Sequence, residues 1–343
     1  MPGSSEVIDT TSAHRLRLNR RLPYRSPQPI VPESSTDRRG LAVAAMLFSP
    51  CCFATNLIFG RLTGSEVAPF TLAFLRWLAV ALVLLPLVMR YRSRVTQTLS
   101  TGAPLLLLLG FLGMWICGGP VYQALQLTSA TNGALIFTTT PIFIILIEAV
   151  FRGRRVRWRE ALGSALALAG VVTIVLRGDL SALVDLSLNL GDVILIVAVV
   201  AWACYSILCR SPRLSALPNL ALLALAAAAG ALLLAPFALF EWFSGAPMPV
   251  TSSAWAGIAG IVVFPSLLAF STHQFGMRVL GASVASIFMY LMPVYGVLMA
   301  LLILGEPFGA YQAAGIALVM AGVILATLPA SAISRLRSVS ARR

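Results

Sequence analysis

The chain contains no lysine and has little charge of any kind: Asp, Glu and Arg together make up 11% of its 343 residues. An ordinary soluble domain carries about 25% charged residues. This chain therefore lacks the polar surface needed to face water on all sides, and a soluble globular fold is excluded. The 59% of residues that are hydrophobic fall in long blocks parted by short polar joints, with a mean hydropathy of +0.90. Such a chain has lipid as its solvent.

Other absences narrow the function. The first forty residues hold Arg15, Arg17, Arg20, Arg21, Arg25, Arg38 and Arg39 but no apolar stretch, which excludes a secretory signal and predicts a disordered cytoplasmic tail over 1–40. The end, 329–343, reads the same way. Cys51, Cys52, Cys117, Cys204 and Cys209 all lie inside apolar blocks without ligand-spaced histidines, against a zinc site or a disulfide framework. There is no Walker A loop, no HExxH and no nucleophile elbow. An enzyme, a metal and a cofactor are therefore not expected, and uphill movement of a solute would draw on an ion gradient or exchange. The formal net charge of +13 sits in tails and joints rather than on a folded face, which argues against nucleic acid as a partner.

A backbone that crosses hydrocarbon must satisfy its own hydrogen bonds, and continuous blocks of about twenty residues do so as helices. Ten spans are expected, at 41–59, 69–89, 104–125, 130–151, 160–176, 191–209, 217–240, 254–278, 282–304 and 309–328. With both termini cytoplasmic, all of the 25 arginines except Arg61, Arg76 and Arg177 fall on the inner side. The positive-inside bias thus supports the count and predicts a multi-pass protein with both termini cytoplasmic.

Placing 120–176 beneath 272–328 at an offset of 152 brings Pro141 onto Pro293, Gly163 onto Gly315, Gly170 onto Gly322 and Ala130 onto Ala282. The chain then divides into a five-helix repeat at 41–176, an outer linker at 177–190 and a second repeat at 191–328. Five is odd, so the two repeats are inverted, an architecture suited to alternating access around a central site. Pro141 and Pro293 are expected to interrupt their helices and free carbonyls near mid-membrane. The glycines are expected mainly to let helices approach closely.

Polar groups in hydrocarbon are costly and tend to face the bundle interior. Asn56, Trp115, Tyr122, Gln123, Asn132, Trp202, Tyr205, Gln274 and Tyr290 form the expected solute-binding set, amides to orient a polar head and aromatic faces to take an apolar or cationic body. Arg76, Glu148, His273 and Glu306 are the candidates for coupling or gating. Arg76 has two readings, a structural role that ties helices or snorkels to the headgroups, or a gate and anion contact. Glu148 also has two, a local ion pair with Arg152 at i+4 or proton coupling. His273 is either a proton-coupling group or a helix–helix hydrogen bond.

Phe74-Leu75-Arg76-Trp77, the run 122–130 leading to Pro141, Gly191-Asp192 with 201–205, the run 281–286 leading to Pro293, and Gly305-Glu306-Pro307 occur in that order over 41–328. This pattern resembles the EamA-type branch of the drug/metabolite transporter superfamily. The resemblance implies ten helices in two inverted five-helix halves that move amino acids, other metabolites or drugs across the bacterial inner membrane. It departs from the family pattern where Arg154 occupies the first-half counterpart of Glu306. The expected partners are a small-molecule solute, with export favoured, membrane lipid, and protons or another coupling ion. The oligomeric state stays open. The rival readings are a passive channel, a non-transporting membrane scaffold and, behind them, an integral-membrane enzyme.

Overall fold

The computed structural model describes residues 36–327, apart from 64–65, 180, 182–188 and 305–306. The expected tails and Glu306 therefore lie outside the described residues, except that Thr36–Gly40 is already helical. Among the described residues, ten helices are long and apolar enough to cross a membrane: Arg38–Gly60, Pro69–Arg90, Arg92–Leu127, Thr131–Arg152, Trp158–Val175, Leu190–Leu208, Asn219–Phe243, Ser252–Leu280, Ala282–Leu302 and Ala310–Thr327, here spans 1 to 10. The chain is an all-α polytopic membrane protein.

Span 3 departs most from expectation, for its helix starts at Arg92 rather than near 104. Hydropathy marks only the part of a helix that sits in hydrocarbon. Residues 92–103 continue the helix with Arg92, Ser93, Arg94 and Gln97 exposed, while Val95, Thr98 and Gly102 pack inward.

Outward surfaces of the spans carry exposed Leu82, Val83, Leu232 and Leu302, as lipid contact requires. Exposed Trp158 at one end of the spans, and Trp242 and Trp255 at the other, fit the aromatic belts of a bilayer's two interfaces. One face gathers Arg90, Arg92, Arg94, the 152–159 arginines, Arg210, Arg213 and Arg278. Hydrogen bonds pin its joints together, Arg152 Nη2 to the Ile207 carbonyl at 3.0 Å and Arg278 Nη1 to the Leu217 carbonyl at 2.8 Å. On the opposite face the Glu241 carboxylate at the end of span 7 accepts from the backbone N–H groups of Phe70 (3.0 Å) and Thr71 (2.7 Å) and from the Thr71 hydroxyl (2.8 Å). It supplies span 2 with the acceptors that its orphan N-terminal donors need, and its charge suits the positive end of the helix dipole.

The two repeats interlock rather than lying side by side. Span 1 packs on spans 8 and 9 of the other repeat, where Ser49 Oγ donates to the Ala269 carbonyl (3.0 Å) and Tyr295 OH to the Leu47 carbonyl (2.9 Å). Span 6 reciprocally packs on spans 3 and 4. Two bundles result, spans 1, 8 and 9 against spans 3, 4 and 6. Spans 2 and 7 pair along one flank, spans 5 and 10 along the other.

The repeat is also visible in the backbone. Span 3 passes through a π-helical segment at Gly110–Ile116 and span 8 through another at Val262–Leu268, residue for residue at the same offset of 152. π segments widen the helix by one residue and are frequent where a helix must re-aim side chains at a site. Span 4 breaks between Ala130–Thr138 and Thr140–Arg152, and span 9 tightens to a 3₁₀ turn at Phe288–Tyr290. The break precedes Pro141, which has no N–H for the Phe137 carbonyl. That carbonyl is not left free, however, because the Thr140 hydroxyl donates to it at 2.6 Å.

Candidate functional site

Seven side chains from both repeats converge where spans 1, 2, 6 and 8 meet. Phe53 comes from span 1, Trp77 from span 2, Trp202 and Tyr205 from span 6, and Phe270, His273 and Gln274 from span 8. Spacing explains the alignment: Trp202 and Tyr205 are three apart on one helix, and Phe270 lies three and four residues before His273 and Gln274, so each set shares a helical face. Trp202 stacks on Tyr205 with ring centroids 5.3 Å apart, and meets Phe270 edge to face at 5.2 Å and Phe53 at 6.1 Å. His273 lies 5.7 Å from Trp202 and 5.9 Å from Phe53, and Trp77 sits 4.9 Å from Phe270.

The polar atoms of this buried aromatic cluster are largely unsatisfied. Gln274 Nε2 donates to Tyr205 OH at 2.7 Å, but Gln274 Oε1, both ring nitrogens of His273, and the indole nitrogens of Trp77 and Trp202 are buried without a protein partner. Each such group costs about 1–3 kcal/mol. Buried groups are normally paired, and a cluster of exceptions marks a place where something other than the protein completes the bonding.

Arg76 adjoins the pocket. It is 6% exposed; Nε donates to Ser266 Oγ (2.6 Å) in the π segment of span 8, and Nη1 to Tyr122 OH (3.0 Å) on span 3. Its guanidinium lies 4.6 Å over the Trp77 ring and 5.9 Å from that of Phe270. The side chain points into the protein, where it ties span 2 to spans 3 and 8 rather than reaching the headgroups.

Glu148 sits at the Arg-rich end of span 4, 2% exposed. The expected pair with Arg152 does not form, because Arg152 is drawn to the Ile207 carbonyl at the end of span 6. Glu148 instead accepts from Arg210 Nη1 at 3.0 Å and from the Ser283 hydroxyl, with Arg154 Nε at 3.9 Å. Arg154 in turn pairs with buried Glu160 at 2.7 Å. Since Ser283 opens span 9 and Glu148 closes span 4, this carboxylate joins the two bundles at the Arg-rich face. Burial in this joint draws the Arg210 pKa below its ordinary value, against the opposing pull of Glu148.

The remaining candidates lie elsewhere. Asn132 Nδ2 donates to Asp192 Oδ2 (3.1 Å), whose other oxygen takes the Thr128 hydroxyl (2.5 Å), so these groups tie span 6 to the joint between spans 3 and 4. Trp115 stacks on Phe111 and packs against Phe70 and Phe237, apart from the pocket. Gln123 is exposed. Asn56, one turn from Phe53, is half-buried with Oδ1 unpartnered, and Tyr290 is buried with its hydroxyl unpartnered in the core around Met46 and Phe288. A groove of about 450 Å³ between spans 2 and 7, lined by Phe74, Leu78, Leu82, Ala224 and Leu225, offers hydrocarbon to lipid and no polar group to a solute.

Membrane-crossing helices in two interlocked repeats, with a buried polar and aromatic cluster where the repeats meet, are the build of a membrane transporter for a small solute. Residues 40–176 and 189–328 each match the EamA-like transporter family, and the chain belongs to that family. It is 27% identical over 319 residues to the uncharacterized transporter YetK of Bacillus subtilis, covering 92% of this chain and 94% of that one. A probable terminal-alkyne amino-acid exporter of Streptantibioticus cattleyicolor is 28% identical over 220 residues, 61% of this chain and 71% of its own. The uncharacterized inner membrane transporter YedA of Escherichia coli K12 is 23% identical over 285 residues, 80% of this chain and 89% of its own. A crystal structure 22% identical in sequence shares the fold, with a TM-score of 0.64 over 85% of this chain and 97% of that one.

Proposed function

We propose that the protein is an alternating-access carrier that binds its solute in the pocket of Phe53, Trp77, Trp202, Tyr205, Phe270, His273 and Gln274. The observation that carries this reading is the cluster of buried, unpartnered polar atoms among aromatic rings contributed by both repeats. The Arg-rich face is the cytoplasmic one, in keeping with the positive-inside bias, and the membrane is a bacterial inner membrane. Export is the favoured direction, supported by the similarity to an exporter. Glu148 acts as the gate at the cytoplasmic face: its bond to Ser283 holds the two bundles together there and must break for the pocket to open inward. A second closure of the pocket, by Arg76 between Tyr122 and Ser266, lies toward the opposite face.

A comparison of solutes taken up and exported by cells with and without the protein tests the class, and no reproducible difference with the protein verified in the membrane contradicts it. Within that assay, Trp202→Ala is expected to lower flux at least tenfold while the protein still inserts. The change removes the ring that contacts Phe53, Tyr205, Phe270 and His273, and a stacking partner of this kind is worth about 0.5–1.5 kcal/mol beyond its buried area. Unchanged flux in Trp202→Ala would move the solute site away from this pocket.

A further inference from the structure

We infer that the solute is an anion at its polar end, a carboxylate held by Arg76, and that cationic solutes are excluded; this rests on the reading of the aromatic pocket as the solute site. A buried guanidinium is costly unless a negative charge compensates it. Arg76 is buried, yet both of its protein partners, the hydroxyls of Ser266 and Tyr122, are neutral. Among the described residues no carboxylate lies within 4.0 Å of it. The buried carboxylates are committed elsewhere, Glu148 to Arg210 and Ser283, Asp192 to Thr128 and Asn132, and Glu160 to Arg154.

The neighbouring unpartnered groups point the same way. The indole nitrogens of Trp77 and Trp202 are donors with no acceptor capacity, and neither has a partner. Trp77 lies under the guanidinium, and Phe270 adjoins Arg76, Trp77 and Trp202, so the cation and the residues that carry the two free donors gather around one ring. A carboxylate can accept from an arginine fork and from an indole N–H together, with an apolar body lying against Phe53, Phe270 and Trp202. An ammonium would meet a fixed positive charge and no counter-charge. A lipid headgroup phosphate offers similar chemistry, but the guanidinium is turned into the protein between spans 3 and 8 and not toward an interface.

Arg76 also touches both bundles, Tyr122 on span 3 and Ser266 on span 8. A carboxylate that competes for the guanidinium loosens this link from the side opposite Glu148. Binding of the correct charge thus favours the rearrangement that moves the solute.

The test uses the full chain in proteoliposomes loaded with an equimolar mixture of 3-phenylpropionate, 3-phenylpropionamide and 3-phenylpropylamine, with a matching 4-methylpentanoate series, and follows efflux by mass spectrometry. The carboxylates are expected to leave at least tenfold faster than their amides, and the amines no faster than from empty vesicles. Arg76→Gln is expected to bring carboxylate and amide within threefold of each other. Arg76→Lys is expected to keep the preference at lower affinity, because an ammonium cannot reproduce the planar fork. Should Arg76→Gln fail to insert, the wild-type preference and Arg76→Lys decide. Faster movement of amides or amines, or a carboxylate preference that survives Arg76→Gln, overturns the inference and leaves the carrier standing. If no compound moves through correctly inserted protein, both readings fail.

Discussion

Replacing Glu148 with alanine is expected to open the Arg-rich face and to impair the proposed alternation between the two faces. The carboxylate is buried and accepts from Arg210 and Ser283, so its loss removes a side chain that bonds across the two bundles at that end. Breaking a fully buried pair costs about 3–5 kcal/mol. Arg210 and Arg154 are 29% and 30% exposed along their side chains, so water screens part of that and about 1–2 kcal/mol is the reasonable share. A shift of that size changes a two-state ratio by roughly five- to thirtyfold. Cys209 is a built-in reporter: it adjoins Arg210 and is 3% exposed. Its labelling by a maleimide is expected to rise about tenfold in Glu148→Ala, and less in Ser283→Ala, which leaves the ion pair in place. Equal labelling in wild type and variant would mean that Glu148 is a static tie.

The second large effect concerns stability. Gly322→Val is expected to prevent spans 5 and 10 from packing, because a Cβ at Gly322 would stand 2.5 Å from both the Ala167 nitrogen and the Gly163 carbonyl oxygen. At Gly163 the obstacle is the Gly322 carbonyl oxygen at 2.6 Å, and at Gly170 it is the Gly315 carbonyl oxygen at 2.6 Å. These are backbone atoms that cannot rotate away, so the helices must part. Without a hydrophobic drive between helices in lipid, close packing is what holds such a pair. Overpacking typically costs about 1–3 kcal/mol, and both glycine registers of this crossing are lost together when the helices separate. Thermal unfolding in detergent should show a loss of many degrees or failure to accumulate. Gly296→Ala, which meets nothing within 4 Å, is the control and should be neutral or slightly stabilising.

The spans were legible because continuous apolar blocks have few other readings, and the repeat because proline and glycine keep their register in both halves. What hydropathy could not reveal was helix that leaves the hydrocarbon, as at Arg92. Nor does it reveal which faces meet: the exchange of spans 1 and 6 between repeats depends on contacts such as Ser49 with Ala269, 220 residues apart. In the pocket, Trp202, Tyr205, His273 and Gln274 stand out as polar or amphipathic groups in apolar helices. Phe53 and Phe270 carry no such signal, since phenylalanine is as welcome against lipid as in a site. Asn132 and Trp115 show the reverse, conspicuous residues used to tie helices and to stack on neighbouring rings. Glu148 was marked by its position, yet its partner Arg210 lies 62 residues away and nothing local favours it over Arg152.

The proposed carrier has one solute site between the bundles, reached from each side of the membrane in turn. A single cysteine at position 273, in a chain whose five native cysteines are replaced by alanine, can be challenged with an impermeant maleimide in right-side-out and inside-out vesicles. The account predicts labelling from both sides, protection by transported solute, and a shift toward the Arg-rich side when Glu148→Ala is added. Labelling from one side alone, whatever the state of Glu148, would contradict it.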